Sequence, residues 1–178
     1  IVELVDLLPT LLDLSLNQVP EDLDGRSFAD LIRGNKDTHK FFAVGLQTSK
    51  NIHNGVPYPI RWIRTHRHKL IENLIPDAEF SSLTASSTWF QEAWEEEKSA
   101  GGHHYSRYIH RPNIEFYDLT RDPFELNNLI EKLSPAETLQ LEEMRARLHA
   151  WMLHQNDLGV ETEMAACQRK GFSHRGCP

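Results

Sequence analysis

An α+β fold, a small antiparallel sheet of about four strands packed against one long late helix, is what this sequence predicts. Three observations lead there. Short runs rich in β-branched and aromatic residues, "FFAVGLQT" (41–48), "IRWIRT" (60–65), "HKLIENL" (68–74) and the stretch around Ile114–Leu119, read as strands. The second and third runs are parted by little more than His66-Arg67, which is hairpin spacing. Finally, Ser134-Pro135-Ala136-Glu137 offers an N-cap, a proline at the first helical position and a capping-box glutamate. Leu141, Met144, Leu148 and Trp151 follow at spacings of three and four, marking one buried helical face. Strands with helices segregated around them favour antiparallel pairing.

The remaining elements follow in order. "IVELVDLLPTLLDLSL" repeats apolar residues at Val5, Leu8, Leu11, Leu12 and Leu16, a helical period. Pro9 is tolerated if that helix begins near Asp6, which then serves as its cap. "VPEDLDGRS" (19–27) is a polar loop with a turn at Asp24-Gly25, and "SFADLIRG" is a short helix between Ser27 as cap and Gly34 as stop. "NIHNGVPYP" (51–59) is loop with Asn54-Gly55 as its turn signal, and residues 75–87 are irregular. "TWFQEAWEEEKSAGG" places Thr88 and Gln91 at capping-box spacing and ends on Gly101-Gly102.

The totals set bounds on function. A chain of 178 residues supports one well-buried domain, or a domain with an appendage. A net charge of −7 argues against an extended nucleic-acid surface, and no 18-residue apolar run is present to span a membrane. The sequence opens at Ile1 inside a periodic segment, without an initiator methionine or a signal pattern, as expected of a piece of something longer. Cys167 and Cys177 leave three states open: a disulfide closing a small loop in an oxidising compartment, free thiols, or a zinc half-site with His174.

Candidate chemistry is concentrated in a basic hairpin. Arg61, Arg64, His66, Arg67, His68 and Lys69 crowd nine residues of an acidic chain, and guanidinium groups suit sulfate, phosphate or carboxylate. An ordinary solvated strand face accounts for the same residues. His66 and His68 share a strand face, yet no HExxH, G-x-S-x-G or P-loop accompanies them, so hydrogen-bonded or solvated histidines are expected rather than ligands. The loop "TSKNIHNGVPYP" can present Lys50, Asn51 and His53 to a ligand, or simply connect two strands. The stretch "IEFYDLTRDPFELNNL" (114–129) gathers acids and amides either as a site or as the residues of a chain reversal.

Several stretches, taken in order, resemble the C-terminal part of the sulfatase family. "VELVDLLPTLLDL…LDGRSFADLIRG" looks like the segment leaving the catalytic domain in those enzymes. "YPIRWIRTHRHKLIENL" is similar to the family hairpin, with His68 where an aromatic is more usual. "FYDLTRDPFELNNL" resembles its Y-D-L-x-x-D-P-x-E-x-x-N-L motif, and "WMLHQNDLGVETEMA" resembles the heparan N-sulfatase (sulfamidase) branch.

The resemblance implies a C-terminal subdomain of an alkaline-phosphatase-like sulfatase. On it, residues 1–40 link from a catalytic domain, 41–160 form the subdomain and 161–178 are a tail. It also implies a formylglycine nucleophile made from C/S-x-P-x-R and a calcium ion, neither carried by this chain, because that motif is not found here. Thr48, Lys50, Asn51 and His53 are then the expected contacts to sugar or sulfate; Arg61 or Arg64 assists, or pairs with acids inside the domain. The implied partners are the N-terminal sulfatase domain and a sulfated saccharide such as N-sulfoglucosamine. Localisation stays open among periplasm, secretion and lysosome. A stand-alone glycan-binding or interaction module derived from such a domain is the alternative reading.

Overall fold

The computed structural model describes residues 1–16, 18–48, 57–80 and 87–166. Four strands, β1 (Phe42–Gln47), β2 (Ile60–Thr65), β3 (His68–Asn73) and β4 (Ile114–Asp118), form one sheet in the order β1-β2-β3-β4, every neighbour antiparallel. This is the α+β architecture expected from the sequence. The His66-Arg67 turn joins β2 to β3 in a register that sets Ile63 opposite Leu70, and Leu70 lies opposite Phe116 of β4. Pairing of Val44 with Ile63 extends the same apolar row into β1.

Because side chains alternate along a strand, this row fixes one face of the sheet. That face packs on α5 (Pro135–His154), where Leu141, Met144 and Leu148 close over Ile63, Leu70 and Phe116. Burial of each such side chain contributes about 1.5–3 kcal/mol. The helix begins as its sequence dictates: the Ser134 hydroxyl accepts from the Glu137 amide, and Glu137 Oε2 accepts from the Ser134 amide at 2.8 Å. It ends at His154, and Asn156, just past the C-cap Gln155, is left-handed at φ 52°, a conformation that asparagine tolerates.

The opposite face holds a second apolar cluster of Tyr58, Ile60, Ile71, Phe80 and Tyr117. Here the Trp62 indole lies across Gly45, the residue opposite it on β1, and any Cβ at Gly45 would overlap the ring. α3 (Thr88–Ser99) and α4 (His104–Ile109) reach this side through aromatic contacts: Tyr108 meets Phe80 at 5.0 Å and Trp94 at 4.6 Å between ring centres. Ser87, not Thr88, occupies the N-cap position of α3, one residue earlier than the capping-box spacing indicates, and without a side-chain cap bond. α4 and α6 (Val160–Met164) are too short to show a period in sequence.

The N-terminal segment differs most from expectation. A 3-10 turn, Leu4–Asp6, runs straight into α1 (Leu7–Leu16), and α2 (Ala29–Ile32) packs beside it. Asp6 is not the cap of α1. It is fully buried, accepting from Lys40 Nζ at 2.7 Å, the Arg26 amide at 2.9 Å and the Glu3 amide at 3.0 Å, with His39 Nε2 at 3.2 Å. Gly25 lets the 19–27 loop close down on this knot, since a Cβ there would overlap the Val5 carbonyl. With the polar side of the helix turned inward, the apolar side is left outside: Leu4 is 86% exposed and Leu11 63%. Among the described residues, no helix is long and apolar enough to cross a membrane.

Candidate functional site

The basic hairpin is largely compensated from within. Arg61, fully buried, points to the α5 side, where its Nε and NH2 donate to Asp157 at 2.5 and 3.0 Å. Of the two roles open to it, assisting a ligand or pairing with an acid, Arg61 takes the second. Burial works against the Asp157 carboxylate, but the Arg61 guanidinium and the Gly159 amide outweigh it and hold its pKa below the ordinary range. Arg67 donates to Asp118 Oδ2 at 3.0 and 3.2 Å, and Lys69 to both oxygens of Glu125 at 2.7 and 2.8 Å. His68 is buried and stacked on Phe116 at 5.2 Å, and burial, helped by the nearby Arg67 charge, pushes its pKa down. Arg64 and His66 remain exposed.

The other expected contacts are only partly visible. Thr48 is exposed just past β1, near the Gln47–Ile60 end of the ladder. Arg64 lies four residues along β2 from Ile60, about 13 Å of strand away, so the sheet does not bring Thr48 and Arg64 together. Lys50, Asn51 and His53 fall outside the described residues, as do Cys167 and Cys177. Among the described residues, no three of His, Cys, Asp or Glu converge as metal ligands.

The stretch 114–129 resolves into architecture. Asn128 acts as a substitute strand residue: its Oδ1 accepts from the Phe116 amide at 2.9 Å and its Nδ2 donates to the Ile114 carbonyl at 3.1 Å. Asp122 Oδ2 accepts from the Asn127 amide at 2.7 Å, closing the turn. Burial opposes the Asp118 charge, but the Thr120 hydroxyl, the Arg67 guanidinium, the Thr120 amide and the Arg121 guanidinium all donate to it and hold its carboxyl far below the usual range. Glu125, left-handed at φ 57°, turns its carboxylate toward Lys69.

What this turn does build is the wall of a groove. A cavity of about 870 Å³ lies on the second sheet face, between α4 and residues 124–132, floored by Lys69, Ile71, Glu115 and Tyr117. Tyr117 donates to Glu115 Oε2 at 2.5 Å, and Asn73 Nδ2 donates to Glu115 Oε1 at 2.7 Å. Burial first, and the adjacent Glu115 carboxylate second, keep the Tyr117 phenol protonated well beyond its ordinary range. Arg107 donates to the Leu126 carbonyl at 3.1 Å, and Arg111 lies 4.3 Å over the Phe80 ring. These groups can hold a polar ligand, since the carboxylates are engaged while the guanidinium groups keep spare donors. Sequence reading missed this site because its residues come from β3, β4, α4 and the turn, with no common spacing.

Comparison with known proteins follows the same lines. No family model matches the chain. An ulvan-active sulfatase from Formosa agariphila is 30% identical over 166 residues, an alignment covering 89% of this chain and 30% of that protein. A Bacteroides thetaiotaomicron VPI-5482 protein described as a sulfatase superposes with a TM-score of 0.56 at 27% identity, covering 85% of this chain and 25% of its own. A 2-O GAG sulfatase superposes with a TM-score of 0.57 at 26% identity, again over 85% and 25%. The chain thus spans between 25% and 30% of the length of these sulfatases. Over the aligned region this chain is thus similar in sequence and fold to a part of these sulfatases.

Proposed function

We propose that this chain forms the C-terminal subdomain of a sulfatase that releases N- or O-linked sulfate from a sulfated sugar. The observation that carries this reading is the outward apolar face of the first helix. Leu4, Leu7, Leu8 and Leu11 all lie exposed on a segment whose polar side is locked to the sheet through Asp6, Lys40 and the Glu3–Val44 bond. An ordered apolar surface of this kind marks an interface. Its occupant on this reading is the catalytic domain of the parent enzyme, which supplies the formylglycine nucleophile and the calcium ion. Thr48, Lys50, Asn51 and His53 then contribute one wall of the substrate pocket. The names of two relatives, ulvan-active and 2-O GAG, favour a glycan substrate. The segment "WMLHQNDLGVETEMA", which ends α5 and carries Asp157, favours N-sulfoglucosamine of heparan-type glycans among them.

Sulfate release from N-sulfoglucosamine and from O-sulfated disaccharides, by the parent enzyme and by this chain alone, tests the reading. The parent is expected to turn over and the isolated chain is not. Turnover by the isolated chain, or a parent inert toward every sulfated sugar, would overturn it. An in-frame C/S-x-P-x-R in the coding sequence ahead of Ile1 separates this enzyme from the stand-alone glycan-binding module.

A further inference from the structure

The groove on the second sheet face has the chemistry of a binding site for an anionic saccharide. Its carboxylates are mostly occupied: Glu125 by Lys69, and Glu115 by Tyr117 and Asn73, with Arg111 NH1 at 3.9 Å. Of its cations, Lys69 is taken up by Glu125 and Arg111 partly by Glu115. Arg107 spends one N–H on the Leu126 carbonyl, and Arg111 spends its Nε on the Tyr108 carbonyl at 3.3 Å, so both keep terminal donors. Arg107 within α4 and Arg111, two residues past its end, both line the groove. Lys132 adds an exposed ammonium on the far wall, next to Glu131, the one remaining lining carboxylate. With Lys69, Arg107, Arg111 and Lys132 against Glu115, Glu125 and Glu131, the lining carries a small positive excess on a chain of net charge −7.

The remaining surface is aromatic. Tyr108 and Tyr117 line the interior, and Phe124 stands at the edge with 79% of its surface exposed. The cavity volume falls within the ~300–1,000 Å³ range of small-molecule sites. Fork-shaped donors match the oxygens of a sulfate or carboxylate, and flat apolar rings match the faces of a pyranose. An extended acidic peptide would use the cations but leave the rings idle. We infer that the groove binds a sulfated saccharide, with Arg107, Arg111 and Lys132 holding its acidic groups and Phe124 packing on a sugar ring. The choice of a saccharide rests on the proposed sulfatase function; the anion preference rests on the groove alone.

Titration calorimetry of the 178-residue chain tests this, using a heparin-derived tetrasaccharide, its desulfated counterpart and a polyglutamate of equal charge. The sulfated tetrasaccharide is expected to bind, and the other two at least about tenfold more weakly. Arg107→Ala, Lys132→Ala and Phe124→Ala, all at exposed positions, are each expected to weaken binding about tenfold without moving the melting temperature. Lys36→Ala, an exposed cation on the N-terminal segment paired with Asp30, serves as control and leaves binding unchanged. Equal binding by groove variants and wild type, equal binding of polyglutamate, or no binding at all would each overturn the inference. Sulfate release by the parent is a separate readout. An active parent with unaltered groove-variant binding removes the groove alone; an inert parent with groove-dependent binding removes the sulfatase reading alone.

Discussion

Arg61 and Asp157, 96 residues apart in sequence, meet through two hydrogen bonds of 2.5 and 3.0 Å and join the middle of the sheet to the chain just beyond α5. Both side chains are at least 95% buried, so removing one leaves the other charged and unpaired. Asp157→Ala is expected to cost about 3–5 kcal/mol, while Arg61→Met combined with Asp157→Leu stays within about 2 kcal/mol of the wild type. Urea unfolding of the three proteins checks both values.

The His68 ring stacks on Phe116, but among the described residues its buried Nε2 has no hydrogen-bond partner. Its pKa is lowered in the fold, so the stability contributed by keeping it neutral is complete above the unfolded value of about 6.5 and is lost as pH falls below it. His68→Phe is expected to add about 1 kcal/mol at pH 7.5 and to flatten the decline toward pH 5. Melting curves at the two pH values decide; an unchanged pH slope would count against it.

The knot around Asp6 acts in a lower window. Burial opposes its charge, but the Lys40 ammonium and the amides of Arg26 and Glu3 prevail and hold its pKa at about 2. Its contribution is therefore present above the unfolded value near 4 and lost as pH falls toward 2. Asp6→Asn should cost about 2–3 kcal/mol at pH 7 and erase this acid step, as read from unfolding midpoints between pH 5 and 2.

Much of this architecture was legible in the sequence because its signals are local. The β2–β3 hairpin, the cap of α5 and its buried face are written in spacings of two, three and four residues. The charge network was not, since Arg61, Lys69 and Arg67 find acids 96, 56 and 51 residues away, and nothing in the order of residues pairs them. Asp6 was misplaced for a related reason: an acid at the start of a helix reads as a cap until Lys40 and Arg26 fold against it. A helical repeat such as that of α1 says that a face is apolar, not what covers it.

Leu148 lies fully buried in the row formed by Ile63, Leu70 and Phe116. Leu148→Ala is expected to destabilise by about 3 kcal/mol through lost transfer energy and the cavity left behind. Denaturant titration with an unchanged m-value would assign the loss to the folded state.

The exposed leucines of the first helix should behave in the opposite way. Leu4→Gln with Leu11→Gln is expected to change the stability of this chain by no more than about 0.5 kcal/mol, while lowering dye binding to exposed apolar surface. A large loss of stability would mean that these side chains support the fold from within.

The sheet keeps its strands in sequence order, and one connection departs from economy: residues 74–113, between β3 and β4, carry α3 and α4. Closing such a loop costs only about 0.6 kcal/mol for each doubling of its length. Apart from Phe80 and Tyr108, which pack in the second cluster, the excursion can therefore be lengthened or shortened in evolution while the β3–β4 register, held by His68 opposite Asp118 and Leu70 opposite Phe116, stays as it is. One wall of the groove is thus free to diversify at small thermodynamic expense, on a scaffold that need not change with it.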